Sequence, residues 1–235
     1  MPGYTFKQYD SRWGSKNYNG SSSMAAAGCG PTSCACDIYA INKKITPWVT
    51  AKFMKSHGYA IYNNGTAWAG IPACLKHFKM KDVAEQSTMS KAFSKMEKGY
   101  LSVILFRGGT KGGVTWTLGG HYLAATGYKI KNGKHYLYMR DPGGRDHDGW
   151  YCYEDHMRGL VAAIWTCTYD AKEANAAHKK ALYTGSYPTG LISRNSGTKT
   201  NTKKWQTFLA WWLEDPYFDI DGDFGEDTKS ATLKF

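Results

Sequence analysis

The pentapeptide Gly28-Cys29-Gly30-Pro31-Thr32 constrains this 235-residue chain more than any other stretch. A helix accepts proline in its first turn, where the missing N–H costs nothing and the fixed φ is already helical. Cys34, Ile38 and Ile41 then recur at helical spacing and predict an inward face. Cys29 is therefore expected at a helix start. Unpaired N–H groups and the positive end of the macrodipole favour S⁻ over SH there. Gly28 and Gly30 are read as leaving room for a substrate backbone beside the sulfur. The competing reading is a structural cysteine at the start of an ordinary core helix.

A nucleophilic thiol needs a base within reach. Gly119-Gly120-His121-Tyr122-Leu123 reads as a glycine-flanked histidine opening a strand over 121–128. Asn132-Gly133 is a hairpin signal, and Lys134–Arg140 returns as a second strand that ends at Asp141-Pro142-Gly143. A turn at Asn132-Gly133 brings His121 and Asp141 to one end of the hairpin. A cysteine, a histidine and a carboxylate, each at an element end, are the parts of a thiol acyl-transfer site. Gly120 is placed with Gly28 and Gly30 on the substrate side.

Phe6-Lys7-Gln8-Tyr9-Asp10-Ser11-Arg12-Trp13, the Cys29 pentapeptide, Gly119-Gly120-His121 and Asp141-Pro142-Gly143 together resemble the C39-like, papain-fold cysteine peptidases, over about residues 4–168. The resemblance implies an α+β domain over 1–169, with a helix packed on an antiparallel sheet. It implies Cys29 as nucleophile, His121 as general base and acid, and Asp141 as the residue that orients His121. It also implies Gln8 as a side-chain donor to the oxyanion, beside the Cys29 N–H, where a tetrahedral intermediate needs preorganised donors.

A second resemblance covers the far end. Leu191–Gly197, Lys203–Leu209 and the Asp-Gly-x-Phe-Gly-x-x-Thr core at Asp221–Thr228 look like a small, three-helix peptidoglycan-binding domain over 191–235, short at its last helix. A calcium loop starting at Asp219 is disfavoured, because its sixth and twelfth places hold Phe224 and Ser230 instead of Gly and Glu. Trp205 is expected to pack. Trp211 and Trp212 are adjacent and point to different sides of a helix, so one is expected to offer its face to a sugar ring. Residues 170–182 read as a polar, alanine-rich helix and 183–190 as a linker.

The net charge of +11 is uneven: residues 1–189 carry 24 Lys/Arg against 12 Asp/Glu, residues 190–235 six against seven. The basic part is expected to be drawn to polyanions. No recognition helix, zinc finger or RNA-binding signature points to nucleic acid, and a bacterial wall with its carboxylates and phosphates fits better. Six cysteines at scattered spacings predict reduced thiols rather than a disulfide framework. No metal or cofactor is expected: Asp146-His147-Asp148 and Asp155-His156 match no zinc spacing and read as exposed loop. Gly108–Gly113 reads as a mobile loop, not a phosphate cradle. No run approaches a membrane span, and the start lacks a secretory signal's charged and apolar regions. The whole reads as a modular peptidoglycan hydrolase resembling a bacteriophage endolysin, held in the host cytoplasm until lysis and cutting a peptide amide of the wall. The alternatives are an N-acetylmuramoyl-L-alanine amidase with the same triad and a non-catalytic wall-binding protein.

Overall fold

A computed structural model describes residues 3–170, 185–189, 198–213, 220–225, 228–229 and 232–233, without the side chains of 211 and 213. The chain divides into two compact units, Met1–His178 and Lys179–Phe235. The helix expected from 170 lies, from residue 171 on, outside the described residues.

The first unit is built on a six-stranded antiparallel sheet. Its strands are β1 (Lys81–Glu85), β2 (Leu101–Phe106), β3 (His121–Lys131), β4 (Lys134–Arg140), β5 (Gly149–Cys152) and β6 (Val161–Thr168). They lie in the order β5-β4-β3-β2-β6-β1. β2 is buried along its whole length and apolar except for Ser102, because both of its faces are covered. Leu101, Val103 and Leu105 join one core with Tyr122, Ala124 and Trp165; Ile104 and Phe106 join a second with Leu123, Ala125 and Ile164. This is the period-2 alternation of a strand.

Asn132 and Gly133 close the β3–β4 hairpin at φ values of 52° and 69°, the two-residue turn that suits the twist of the flanking strands. Pairing runs from Lys131↔Lys134 to Ala124↔Arg140. β3 continues to Lys131 rather than stopping at Tyr128, since nothing breaks the ladder before the turn. The glycine-rich stretch expected to be a mobile loop is instead a small hairpin, Gly109–Lys111 against Val114–Thr117, turning at Gly112-Gly113. Trp116 anchors it, buried and stacked on Phe106 at 4.8 Å.

Four helices of this unit matter here: α1 (Cys29–Ile38), α2 (Pro47–Ser56), α3 (Gly70–His77) and α4 (Met89–Met96). α1 has no solvent face. Every residue from Gly30 to Ile38 is buried, and the helix contacts β3, α2 and α3. The single inward face expected from Cys34, Ile38 and Ile41 is thus too narrow. Thr32 donates to the Gly28 carbonyl at 2.7 Å and Thr50 of α2 to the Pro31 carbonyl at 2.8 Å, while Ser33 Oγ and Asp37 Oδ1 are buried without a partner. α4 covers the opposite sheet face with Ala92, Phe93 and Met96.

Gly28 and Gly30 do not leave space beside the sulfur. Both are buried, and a Cβ on Gly28 would lie 2.6 Å from the Met24 carbonyl oxygen, one on Gly30 2.5 Å from Thr66 Oγ1. They let α1 approach its neighbours, so their smallness serves packing. Gly30→Ala should therefore destabilise the fold by about 1–3 kcal/mol through overpacking. A denaturant titration checks this; unchanged stability would mean that Thr66 gives way freely. Gly120 differs, being exposed with nothing within 4 Å of its Cβ direction.

In the second unit, α5 (Lys199–Leu213) carries Gln206, which is 1% exposed. Its amide donates to Asp221 Oδ1, the Asp223 carbonyl and Thr228 Oγ1, and its oxygen accepts the Gly222 N–H. Asp221, Gly222, Asp223 and Thr228 of the Asp-Gly-x-Phe-Gly-x-x-Thr stretch thus converge on one buried glutamine. Asp221 Oδ1 also accepts the Asp223 N–H. Trp205 stacks on Phe208 at 5.2 Å and donates to Thr232. Trp212 is half-buried, and the Trp211 side chain lies outside the described residues.

Candidate active site

Cys29 is the first residue of α1 and is half-buried. His121 is the first residue of β3, and Asp141 follows the last residue of β4. The hairpin brings the latter two together: His121 Nε2 meets Asp141 Oδ1 at 2.8 Å. The Cys29 thiol lies near enough to the imidazole for each group to shift the other's charge. Thiol, imidazole and carboxylate are thus gathered at one site, the ring bonded to the carboxylate and electrostatically coupled to the thiol.

Asp141 is fully buried. Besides His121 it accepts the Gly143 N–H at 2.7 Å on Oδ1 and the His147 N–H at 3.1 Å on Oδ2. Burial works to raise its carboxyl, but His121 and the two N–H groups hold it below its ordinary value. Burial likewise opposes the imidazolium, yet Asp141 and Cys29 outweigh it and raise His121 to about 9. Cys29 is the mirror image: burial raises the thiol, while His121 and the main chain at Tyr122 and Gly30 bring it below its ordinary value. Burial pushes Cys36 up to about 12 and Cys34, Cys152 and Cys167 upward as well. Cys29 is thus separated from these inert core thiols by electrostatics as well as position. All six cysteines are free.

Gln8 is 8% exposed and lies against the turn before α1. Its Nε2 donates to the Ala25 carbonyl at 2.6 Å, the acceptor that an unbroken helix would hand to the Cys29 N–H. An amide nitrogen carries two N–H groups, and Ala25 takes one. Gln8 Oε1 is buried without a partner.

Two features of the site escaped the sequence reading. Gly143 is the first: a Cβ there would lie 2.9 Å from His121 Nε2 and 3.1 Å from Asp141 Oδ1. Its place in Asp-Pro-Gly was visible, but its contact with the histidine was not. The second is the Asp146-His147-Asp148 stretch, which is not merely exposed loop. Asp148 accepts the Asp141 N–H at 2.8 Å and pairs with Lys7 at 2.9 Å, and the His147 ring bonds the Thr115 carbonyl. The remaining histidines of this region are engaged elsewhere, His135 with Glu154 at 2.6 Å and His156 with the Cys152 carbonyl. Among the described residues no group of three or more His, Cys, Asp and Glu is arranged to hold a metal ion. Nor is any described helix long and apolar enough to cross a membrane.

The model of the Peptidase_C39 like family matches residues 6–172. The chain belongs to that family. Membership gives the cysteine-peptidase type of fold to the first unit, with helices on an antiparallel sheet as observed. A solved structure provisionally described as a C39-like peptidase from Bacillus anthracis aligns over 70% of this chain and 94% of that one, at 14% identity and a TM-score of 0.45. No curated protein matches the chain.

The charges of the site set a pH prediction. The shifts of the two groups favour a thiolate–imidazolium pair between the lowered Cys29 value and the His121 value of about 9. Iodoacetamide alkylation of Cys29 should already be fast at neutral pH, and hydrolysis should fall as pH passes about 9, where His121 releases its proton. In stability the signs differ. The raised His121 contributes fully below its ordinary 6.5, and the contribution is lost as pH rises through about 9. The lowered Asp141 contributes above its ordinary value and is lost as pH falls through its lowered one. A basic limb near the ordinary histidine value would disconnect His121 from both partners.

Proposed function

We propose that this chain hydrolyses an amide in the peptide part of bacterial peptidoglycan by a cysteine mechanism, in the manner of an endolysin. The observation that carries the chemistry is the His121–Asp141 bond beside Cys29, with the thiol held low and the imidazole high. In this reading Cys29 S⁻ attacks the scissile carbonyl and forms a tetrahedral oxyanion. The Cys29 N–H and the second N–H of Gln8 take that charge. His121 gives its proton to the leaving amine, and an acyl-enzyme remains. His121 then takes a proton from water, which attacks the thioester and releases Cys29. Asp141 orients the ring and stabilises its charged form.

The wall as substrate is supported by sequence features. These are the resemblance of 191–235 to a peptidoglycan-binding domain and the +12 charge of residues 1–189. Localisation follows the same reading: host cytoplasm until lysis, then the wall. Digestion of purified walls tests it. An endopeptidase leaves the lactyl–alanine bond of muramic acid intact and releases new amino groups within the peptides. Free lactyl groups with N-terminal alanine would make the protein an amidase. Walls that sediment with the protein but show no new termini would make it a binding protein.

A further inference from the structure

Lys7 sits one residue before Gln8, and its ammonium is spent entirely on the loop after β4. Nζ donates to the Asp141 main-chain carbonyl at 2.9 Å, to Asp148 Oδ2 at 2.9 Å and to Asp146. Asp148 turns back on the same segment, its Oδ1 accepting the Asp141 N–H at 2.8 Å. Both main-chain polar groups of Asp141 are therefore held, one by Lys7 itself and one by the ion-pair partner of Lys7. One residue along, the Gln8 N–H donates to the Pro142 carbonyl at 2.9 Å. Neighbouring residues of the N-terminal arm thus bond neighbouring residues of the Asp141 loop.

An exposed ion pair does little, because water and salt screen it. Here the Lys7 and Asp148 side chains are only 22% and 29% exposed. Their bonds also go to the main chain of a residue whose carboxylate direction matters. Asp141 Oδ1 must stay at 2.8 Å from His121 Nε2 while Gln8 stays against the turn before Cys29. A rigid tie between arm and loop keeps both settings in register.

We infer that Lys7, through Asp148, is a positioning residue for the thiol chemistry: it fixes the main chain of Asp141, and with it the aim of the carboxylate on His121, while holding the arm that carries Gln8. The inference rests on the cysteine-hydrolase reading of this site. Lys7 touches no reacting atom and acts through Asp141 and Gln8.

The test compares Lys7→Met, Lys7→Arg and Asp148→Asn in the full chain, with Lys95→Met as a control that breaks the remote Lys95–Asp82 pair. Wall hydrolysis and iodoacetamide alkylation of Cys29 at neutral pH are both followed. Lys7→Met keeps the alkyl stem and removes the tie. It should lower kcat by about 10- to 100-fold with KM nearly unchanged, the range that misplacement of a catalytic group produces. Alkylation should slow with it. Lys7→Arg can reach the same oxygens and should recover most of both rates. Asp148→Asn should behave like Lys7→Met, and Lys95→Met like the unaltered chain. A Lys7→Met protein that melts earlier but, while folded, keeps kcat and alkylation makes Lys7 a stabilising residue only and overturns the proposal. If Lys7→Met does not fold, Asp148→Asn decides: slowed alkylation supports the tie, and the unaltered rate overturns it. Should the unaltered chain leave walls intact, the substrate reading fails, and alkylation alone then decides the role of Lys7.

Discussion

Cys29→Ala should abolish hydrolysis, a loss on the order of 10⁴- to 10⁶-fold in kcat, while the chain stays folded. The sulfur sits at the half-exposed start of a helix whose remaining residues are buried. Removing one atom there opens little cavity, so the transfer and cavity terms of a core truncation are small. His121→Ala should cost about as much, and the double variant no more than either single one, because thiol and imidazole act as a unit. Cys34→Ala and Cys36→Ala should do the opposite: both thiols are fully buried and pushed up, so they should lower stability by about 1–2 kcal/mol and spare activity. Turnover on purified walls and thermal melts separate the two patterns. A Cys29→Ala protein near wild-type turnover would end the cysteine mechanism.

Gly143→Ala should be the next most damaging change, and it tests the geometry more sharply. The new methyl would lie 2.9 Å from His121 Nε2 and 3.1 Å from Asp141 Oδ1, closer than a carbon can rest. Either the ring and carboxylate part or the loop retreats, and retreat loosens the 2.7 Å bond from the Gly143 N–H to Asp141. A shift of about 1 Å in such a group costs on the order of 10²-fold in rate. The loss should fall on kcat, with KM nearly constant and His121 titrating closer to an ordinary histidine. Gly144→Ala is the matched control, since nothing lies within 4 Å of its Cβ direction. Equal activity in the two variants would show that the loop yields without disturbing the pair.

What the sequence by itself determined was local. Pro31 in a first turn places Cys29 at a helix start, and Asn132-Gly133 closes a hairpin, so His121 and Asp141 share one end even though the pairing shifts by one residue between Tyr138 and Met139. These inferences need only backbone rules acting over a few residues. The same rules stopped short at Gly108–Gly113, where the glycine count hid the alternation of Val114 and Trp116 that makes a hairpin. They also gave Gly28 and Gly30 the wrong neighbours, because only the packed molecule sets Met24 and Thr66 against them. The burial of α1 on every side, the contact of Gly143 with His121 and the tie from Lys7 to the Asp141 loop were decided by tertiary structure alone. Lys7 and Asp141 lie 134 residues apart. No propensity, spacing or charge pattern in one dimension specifies which side chain meets which main chain across that distance. That pairing is set by how the two cores pack on either face of the sheet, which fixes where the arm and the loop emerge.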